Sequence, residues 1–300
     1  MTCEGGGQLS TIDTTVSSIG VANFPTLRNQ KAVTPGGPWT ARLHVDQGHS
    51  FYFDHPLDHV PGMLLVAGLL DLARVAVGGP VDPWPDHRIR LALRFPQFCE
   101  LNEDVTLHCS PSESASWKLR AEQSGHAVCE GVLTVNSDTD SAPAVAQPSR
   151  PAKPAAADLV HRVDVANIMI GALESPDPGV IMAAVLTSQA FPDNGGLRST
   201  DEIIEAARQL CTMLGHEAHG RTEDSKGLWL DVETDIPGGL PRDLPLALRW
   251  QEVPREGARS RFELGLVVPG TDHELGTVTI ASHTMSRQAY EKKRFVGHAA

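Results

Sequence analysis

FDHPLDHVPGMLLVAGLLDLARVAVGG, Phe53 to Gly79, is the stretch on which the fold reading turns. Its first part, DHPLDHVPG, is a proline-rich turn. The second, MLLVAGLLDLARVAV, is apolar nearly all round, so a helix here is buried on most of its sides. Gly78 and Gly79 stop it.

Around this core the text alternates. WTARLHV and HSFYF precede it as short strands. RIRLALRFPQF, DVTLHCS, SWKLRAEQ and AVCEGVLTVN follow it, and their alternating and β-branched residues predict an antiparallel meander. The second half repeats the order. VHRVDVANIMIGA and GVIMAAVLTSQ lead to a loop, FPDNGGLRSTD, and then to EIIEAARQLCTMLGHEAHG. Ser199 and Glu202 are spaced as a capping box there, and Ile203, Ala207, Leu210, Cys211 and Leu214 form one helical stripe. GLWLDVETDI, LALRWQEV, SRFELGLVV and GTVTIASHTM read as four more strands. Strands, one long helix, then four strands, twice over, predict an α+β chain. It is a double hot-dog fold: two antiparallel sheets, each wrapped around a central helix, joined as a pseudo-dimer.

Residues 137–157, SDTDSAPAVAQPSRPAKPAAA, have the composition and aperiodicity of a linker. The expected organisation is a flexible N-terminal arm (1–37), repeat one (38–136), the linker (137–157), repeat two (158–290) and a tail (291–300).

Hydrophobic residues make up 41% and charged residues 21%, the balance of an ordinary globular chain. No apolar run approaches the roughly 20 residues that span a bilayer, and MTCEGGGQLSTIDTTVSS lacks the marks of a signal peptide. Five scattered cysteines without a CxxC pair point to a reducing compartment, to structural thiols and to no metal site. A cytoplasmic protein without a membrane anchor is therefore expected. The formal charge of -12 argues against nucleic acid, which needs a basic footprint. Arg88, Arg90 and Arg94 share one strand face and read as solvated.

FDHPLDHVPGM (Phe53 to Met63), VHRVDVANIMI (Val160 to Ile170) and EAARQLCTMLGHEAHG (Glu205 to Gly220) resemble the family of A-factor synthases, which make bacterial γ-butyrolactones. The resemblance implies two hot-dog repeats, no cofactor and an acyl-thioester substrate on acyl carrier protein or coenzyme A. It also implies transfer of a β-ketoacyl group to dihydroxyacetone phosphate. In that family the VHR repeat comes first; here it comes second. The family's E-A-x-R-Q helix survives only as Glu205, Arg208 and Gln209, while repeat one has Ala67, Leu70 and Asp71 at those positions.

Hot-dog chemistry explains which residues matter. Amides at a helix start, Gly62 and Met63, can hold a thioester carbonyl. A loop histidine, His55 or His59, can move a proton near neutral pH. Hot-dog dehydratases, which the arrangement also resembles, pair that histidine with an acid from the partner helix, here Glu205. Repeat one keeps the histidines and repeat two keeps the acid, so one composite site is expected. His55, Glu205 and Arg208 are its candidate catalytic residues, and His59, Gly62, Met63 and Gln209 its substrate contacts. His55 or His59 is expected within hydrogen-bond reach of Glu205, directly or through a water. On this reading Glu205→Ala spares stability. Other readings remain. Glu205 lies opposite the apolar stripe, as a solvated residue does, and its i,i+3 spacing suits an ion pair with Arg208. Asp71 and Arg74 read as a buried structural pair, Asp54 and Asp58 as turn caps, and His216 with His219 as a helix terminus. The competing functions are 3-hydroxyacyl dehydration, thioester hydrolysis and noncatalytic acyl or lactone binding. A monomeric pseudo-dimer or a homodimer is compatible with each.

Overall fold

The computed structural model describes residues 26–32, 37–77, 84, 86–113, 115–137, 152–191, 195–222, 225–253, 257–271 and 273–296. Repeat one runs β1 (Leu27–Ala32), β2 (Trp39–Leu43), α1 (Gly62–Val77), β3 (His87–Arg94), β4 (Thr106–Pro111), β5 (Ser116–Gln123) and β6 (His126–Ser137). Repeat two runs β7 (Val180–Ala184), β8 (Leu197–Arg198), α2 (Thr200–Glu217), β9 (Lys226–Pro237), β10 (Leu240–Pro241), β11 (Ala247–Gln251), β12 (Arg259–Val267) and β13 (Glu274–Met285). A last helix, α3 (Arg287–Val296), follows.

Eleven strands form one sheet in the order β1-β2-β4-β5-β6-β3-β9-β13-β12-β11-β7, with every pair antiparallel. The order reads alike outward from the β3–β9 seam, where Leu91 faces Thr234. Joining the repeats at this seam pairs two edges that would otherwise template aggregation. The predicted double hot dog is the observed fold.

Along β3 and β12 the buried and exposed residues alternate, because a strand sends successive side chains to opposite faces. The inward residues surround the two helices. In α1 every residue from Met63 to Arg74 is buried. Gly68 lets α1 lie close to its sheet, since a Cβ there would stand 2.4 Å from Leu43 Cδ1. The outward arginines are paired across strands, Arg88 and Arg90 with Asp235 and Arg94 with Glu130.

Several expectations change. HSFYF is a run of turns, because Phe53 N–H bonds back to His49 O and the His49 ring accepts from Phe51 N–H. Residues 27–32 of the expected arm form β1 against β2, and the expected tail begins inside α3. Residues 1–25, most of the linker, and the stop at Gly78 and Gly79 lie outside the described residues. Ser199 caps α2 without a side-chain bond. The other half of the box is kept: Glu202 accepts from the Ser199 backbone N–H, and it also binds Arg198 at 3.1 Å and Arg242 at 2.8 Å.

Candidate active site

The start of α1 and the loop before it form one wall of a cavity of about 890 Å³; repeat two supplies the other side. His55, His59, Gly62, Met63, Glu205 and Arg208 all line it. Six of the seven expected site residues therefore meet in one place.

The cross-repeat contact is made by a segment whose role the sequence reading left open. After a 3-10 turn at Asp158–Val160, Arg162 is driven into the interior. It donates to Phe51 O (2.6 Å) and to Glu205 Oε1 (2.5 Å), and its guanidinium lies 4.4 Å from the Phe51 ring centroid. Val163 N–H donates to Asp54 Oδ2 (3.1 Å), and Asn167 Nδ2 to Ser50 O (2.7 Å). Three polar contacts thus fasten the histidine loop of repeat one to repeat two. VHR was visible as a motif, but nothing local showed which carboxylates its arginine would meet.

Glu205 is 0% exposed, so it is not a solvated residue. Arg208 donates to it twice, at 2.8 and 2.7 Å, and Gln209 Nε2 once, at 2.8 Å, in addition to Arg162. Burial alone would raise its pKa, but Arg208 and Arg162 outweigh burial and hold it at about 2. The expected i,i+3 pair with Arg208 is present. The expected proton-donating acid is not, because a carboxylate with this pKa stays ionised at neutral pH. Neither loop histidine hydrogen-bonds to it. Its removal would leave two buried cations without their partner, so a loss of stability is now expected in place of none.

Gln209 is corrected as well. Its amide accepts from Met169 N–H and donates to Asn167 O, both at 2.8 Å, and it does not line the cavity. It ties the VHRVDVANIMI segment to α2.

Asp54 and Asp58 are not turn caps. Each accepts from the histidine after it: His55 Nδ1 at 2.8 Å from Asp54, and His59 Nδ1 at 2.7 Å from Asp58. Burial opposes ionisation of Asp54, but His55 and Arg162 win and lower its pKa; His59 and Tyr290 do the same for Asp58. An ionised aspartate can only accept, so His55 and His59 each carry a proton on Nδ1, and Nε2 is bare in the neutral ring. Tyr290 of α3 also donates to Asp58, at 2.8 Å.

At the start of α1, Leu64 and Leu65 N–H already bond to Pro61 O, while Gly62 and Met63 precede the first intrahelical acceptor. Trp229 covers this end. A Cβ on Gly62 would stand 3.1 Å from its Cε3, so glycine keeps the amide approachable. Cys99 lines the cavity, yet burial raises its thiol pKa to about 12, so it is not a nucleophile. The other described cysteines are also buried and free. Asp71 and Arg74 form the expected buried pair, at 2.7 Å, with Asp201 as a third member. His216 ends α2 against His161, and His219 packs on Phe262. No cluster of metal-binding side chains occurs among the described residues. No described helix is long and apolar enough to cross a membrane.

A double hot dog with a composite cavity between its repeats is the class that this fold and site define. The sequence matches the A-factor biosynthesis hotdog domain over residues 31–129 and 144–286, and the chain belongs to that family. A curated relative, the 2-oxo-3-(phosphooxy)propyl 3-oxoalkanoate synthase of Streptomyces virginiae, is 32% identical over 79 residues. The match spans 26% of this chain and 25% of that protein. Among solved structures, the dehydratase domain from the CurJ module of curacin polyketide synthase aligns with TM-score 0.61 and 11% identity, over 88% of this chain and 98% of that one. The dehydratase domain of RzxB from Pseudomonas fluorescens gives 0.59 and 12%, over 87% and 98%. The tesB protein of Mycobacterium avium subs paratuberculosis gives 0.53 and 13%, over 86% and 96%. At these identities the likeness is one of fold.

Proposed function

We propose that the protein transfers an acyl group from a thioester, carried by acyl carrier protein or coenzyme A, to a hydroxyl acceptor. The observation that carries this reading is the state of the cavity's carboxylates. Among the described residues Asp58 and Glu205 are the two that line it, and both have lowered pKa values. Elimination of water from a 3-hydroxyacyl group calls for an acid that gives its proton to the departing hydroxyl, and neither carboxylate holds one. In acyl transfer the departing group is a thiol, a far better leaving group than hydroxide, so no protonated carboxyl group is called for.

The residues divide the work as follows. Gly62 and Met63 amides receive the thioester carbonyl oxygen, and the α1 dipole favours the negative charge that develops there. The acceptor oxygen attacks the carbonyl carbon and the C–S bond breaks, giving an ester and a thiol. One proton leaves the hydroxyl and one reaches the sulfur. His55, held by ionised Asp54, exchanges protons at Nε2. Glu205 and Arg162 fix Arg208, and Arg208, Lys226 and Lys293 make the cavity lining cationic. That lining suits an anionic acceptor such as dihydroxyacetone phosphate, in keeping with the phosphooxy group in the name of the Streptomyces virginiae relative. A cavity of about 890 Å³ has room for both partners.

The test incubates the purified protein with 3-oxoacyl and 3-hydroxyacyl thioesters, with and without dihydroxyacetone phosphate, and reads products by mass spectrometry. An ester that forms only with the acceptor is expected, and His55→Ala should lower its rate by about 10²–10⁴-fold. An unsaturated thioester would mean dehydration, as the names of the CurJ and RzxB domains suggest for those proteins. Free acid without acceptor would mean hydrolysis. No turnover, with a melting temperature raised by acyl ligand, would mean a binding protein.

A further inference from the structure

Glu205 cannot supply the second proton-handling group of the cavity, but another side chain from repeat two is placed to do so. His161 lines the cavity. It closes the 3-10 turn in the left-handed region, with φ of 53°, where non-glycine residues are uncommon and histidine is among those enriched. This turn lets two consecutive side chains part: Arg162 goes to Glu205, and His161 to the end of α2.

Its tautomer follows from its partners. His216 Nδ1 lies 3.0 Å from Arg221 O, and a carbonyl only accepts, so His216 carries its proton on Nδ1. His216 Nε2 is then bare in the neutral ring and accepts from His161 Nε2–H across 2.9 Å. Neutral His161 is therefore left with a bare Nδ1, which has no hydrogen-bond partner among the described residues.

We propose that His161 and His216 form a two-imidazole proton relay, in which His161 Nδ1 takes the proton of the bound hydroxyl and the charge comes to rest on His216. This inference rests on the acyl-transfer reading of the cavity. As the hydroxyl oxygen bonds to the thioester carbon, its proton passes to His161 Nδ1. The proton on His161 Nε2 moves to His216 Nε2. His161 ends neutral with its proton on Nδ1, and His216 ends as an imidazolium whose Nδ1–H still faces Arg221 O. The departing sulfur takes its proton from the Nε2–H of the His55 imidazolium form, whose Nδ1–H faces ionised Asp54. Protonation from solvent restores His55; once the ester has left, His161 Nδ1–H is released to solvent and the extra proton of His216 passes back from its Nε2 to His161 Nε2, which restores both starting tautomers.

The placement explains why two rings are used. Burial, His216, Arg208, His55 and Lys226 all oppose a positive charge on His161 and lower its pKa to about 4. His216 sits in the last turn of α2, where the helix dipole favours a cation. Moving the charge by one ring takes it from an unfavourable place to a favourable one.

Two measurements test the relay. The first is histidine-selective 15N NMR of the intact protein, with His161→Gln and His216→Gln used for assignment. At neutral pH His161 should be protonated on Nε2 alone and His216 on Nδ1 alone. On acidification His216 should become doubly protonated while His161 switches to its Nδ1-protonated form. A resting Nδ1-protonated His161, or a first added proton that leaves His161 doubly protonated, would overturn the relay whatever the protein acts on. The second is the pH–rate profile with a 3-oxoacyl thioester and dihydroxyacetone phosphate. His216→Gln should lower kcat at least about tenfold and move the acidic limb, whereas His55→Ala, outside the relay, should lower the rate without moving that limb. An unmoved acidic limb in His216→Gln counts against the relay. Absence of wild-type turnover would sink the acyl-transfer reading, with the NMR still deciding the relay.

Discussion

α1 and α2 occupy equivalent places in the two repeats and are buried to a similar extent, yet they are made of opposite materials. α1 is apolar apart from Asp71 and Arg74. α2 carries Asp201, Glu202, Glu205 and Gln209 in the interior. Each of its three buried carboxylates has an arginine: Arg74 for Asp201, Arg198 and Arg242 for Glu202, Arg162 and Arg208 for Glu205. A buried charge is tolerable only when paired, and breaking such a pair costs more than the pair itself contributes. The duplicated helix has thus divided its labour. α1 supplies a hydrophobic rod whose N-terminus lines the cavity, and α2 supplies the charged frame that holds the cationic side of the cavity.

The comparison breaks if the two helices respond alike to charge. Glu205→Ala should destabilise the fold by about 3–5 kcal/mol, because it strands Arg162 and Arg208. Ala67→Glu puts the carboxylate at the corresponding place in α1, a buried position on an otherwise apolar helix, and should cost at least as much. Denaturant unfolding measures both. An Ala67→Glu variant as stable as wild type would show that partners are not what separates the helices.

A finer separation lies in the pH dependence. Glu205, with its pKa held down to about 2, contributes stability that is present above its unfolded pKa, near 4.5, and is lost as pH falls toward 2. Asp71 is the reverse case. Burial, with the negative charge of Asp201 beside it, raises its pKa to about 6 in spite of Arg74. Its contribution is complete below about pH 4 and is lost as pH rises through 6. The difference between wild type and Glu205→Gln should therefore grow with pH between 2 and 4.5. Relative to Asp71→Asn, wild type should lose stability between pH 4 and 6. Unfolding free energies from pH 2 to 8 test both signs, and slopes of the same sign would refute the assignment.

The smallest effect concerns the start of α2. Ser199 stands at the N-cap but its side chain makes no capping bond. Ser199→Ala should cost less than about 0.5 kcal/mol, below the ~1 kcal/mol of a working cap. A larger loss would mean that the hydroxyl caps the helix in solution.

The repeat plan was legible because it is written in local periods: alternation gave β3 to β6, β9 and β11 to β13, and continuous apolarity marked α1. The candidate cavity was half legible. His55, Gly62 and Glu205 stood out because their residue types suit thioester chemistry, and the absence of their counterparts from the other repeat pointed to one site. The stripe on α2 misled at Glu205, since the face opposite an apolar stripe is normally wet; here it meets Arg162.

The sequence by itself determined the two repeats, their helices and the loop that carries the histidines, because hydrophobic period and turn chemistry act between near neighbours. Only the tertiary structure decided what each charge does. Arg162 is 43 residues from Glu205, and Val163 is 109 from Asp54. Whether a carboxylate is an acid, an anchor or a solvated group depends on which cation the fold brings to it. That is a property of distances in space, which no local pattern records.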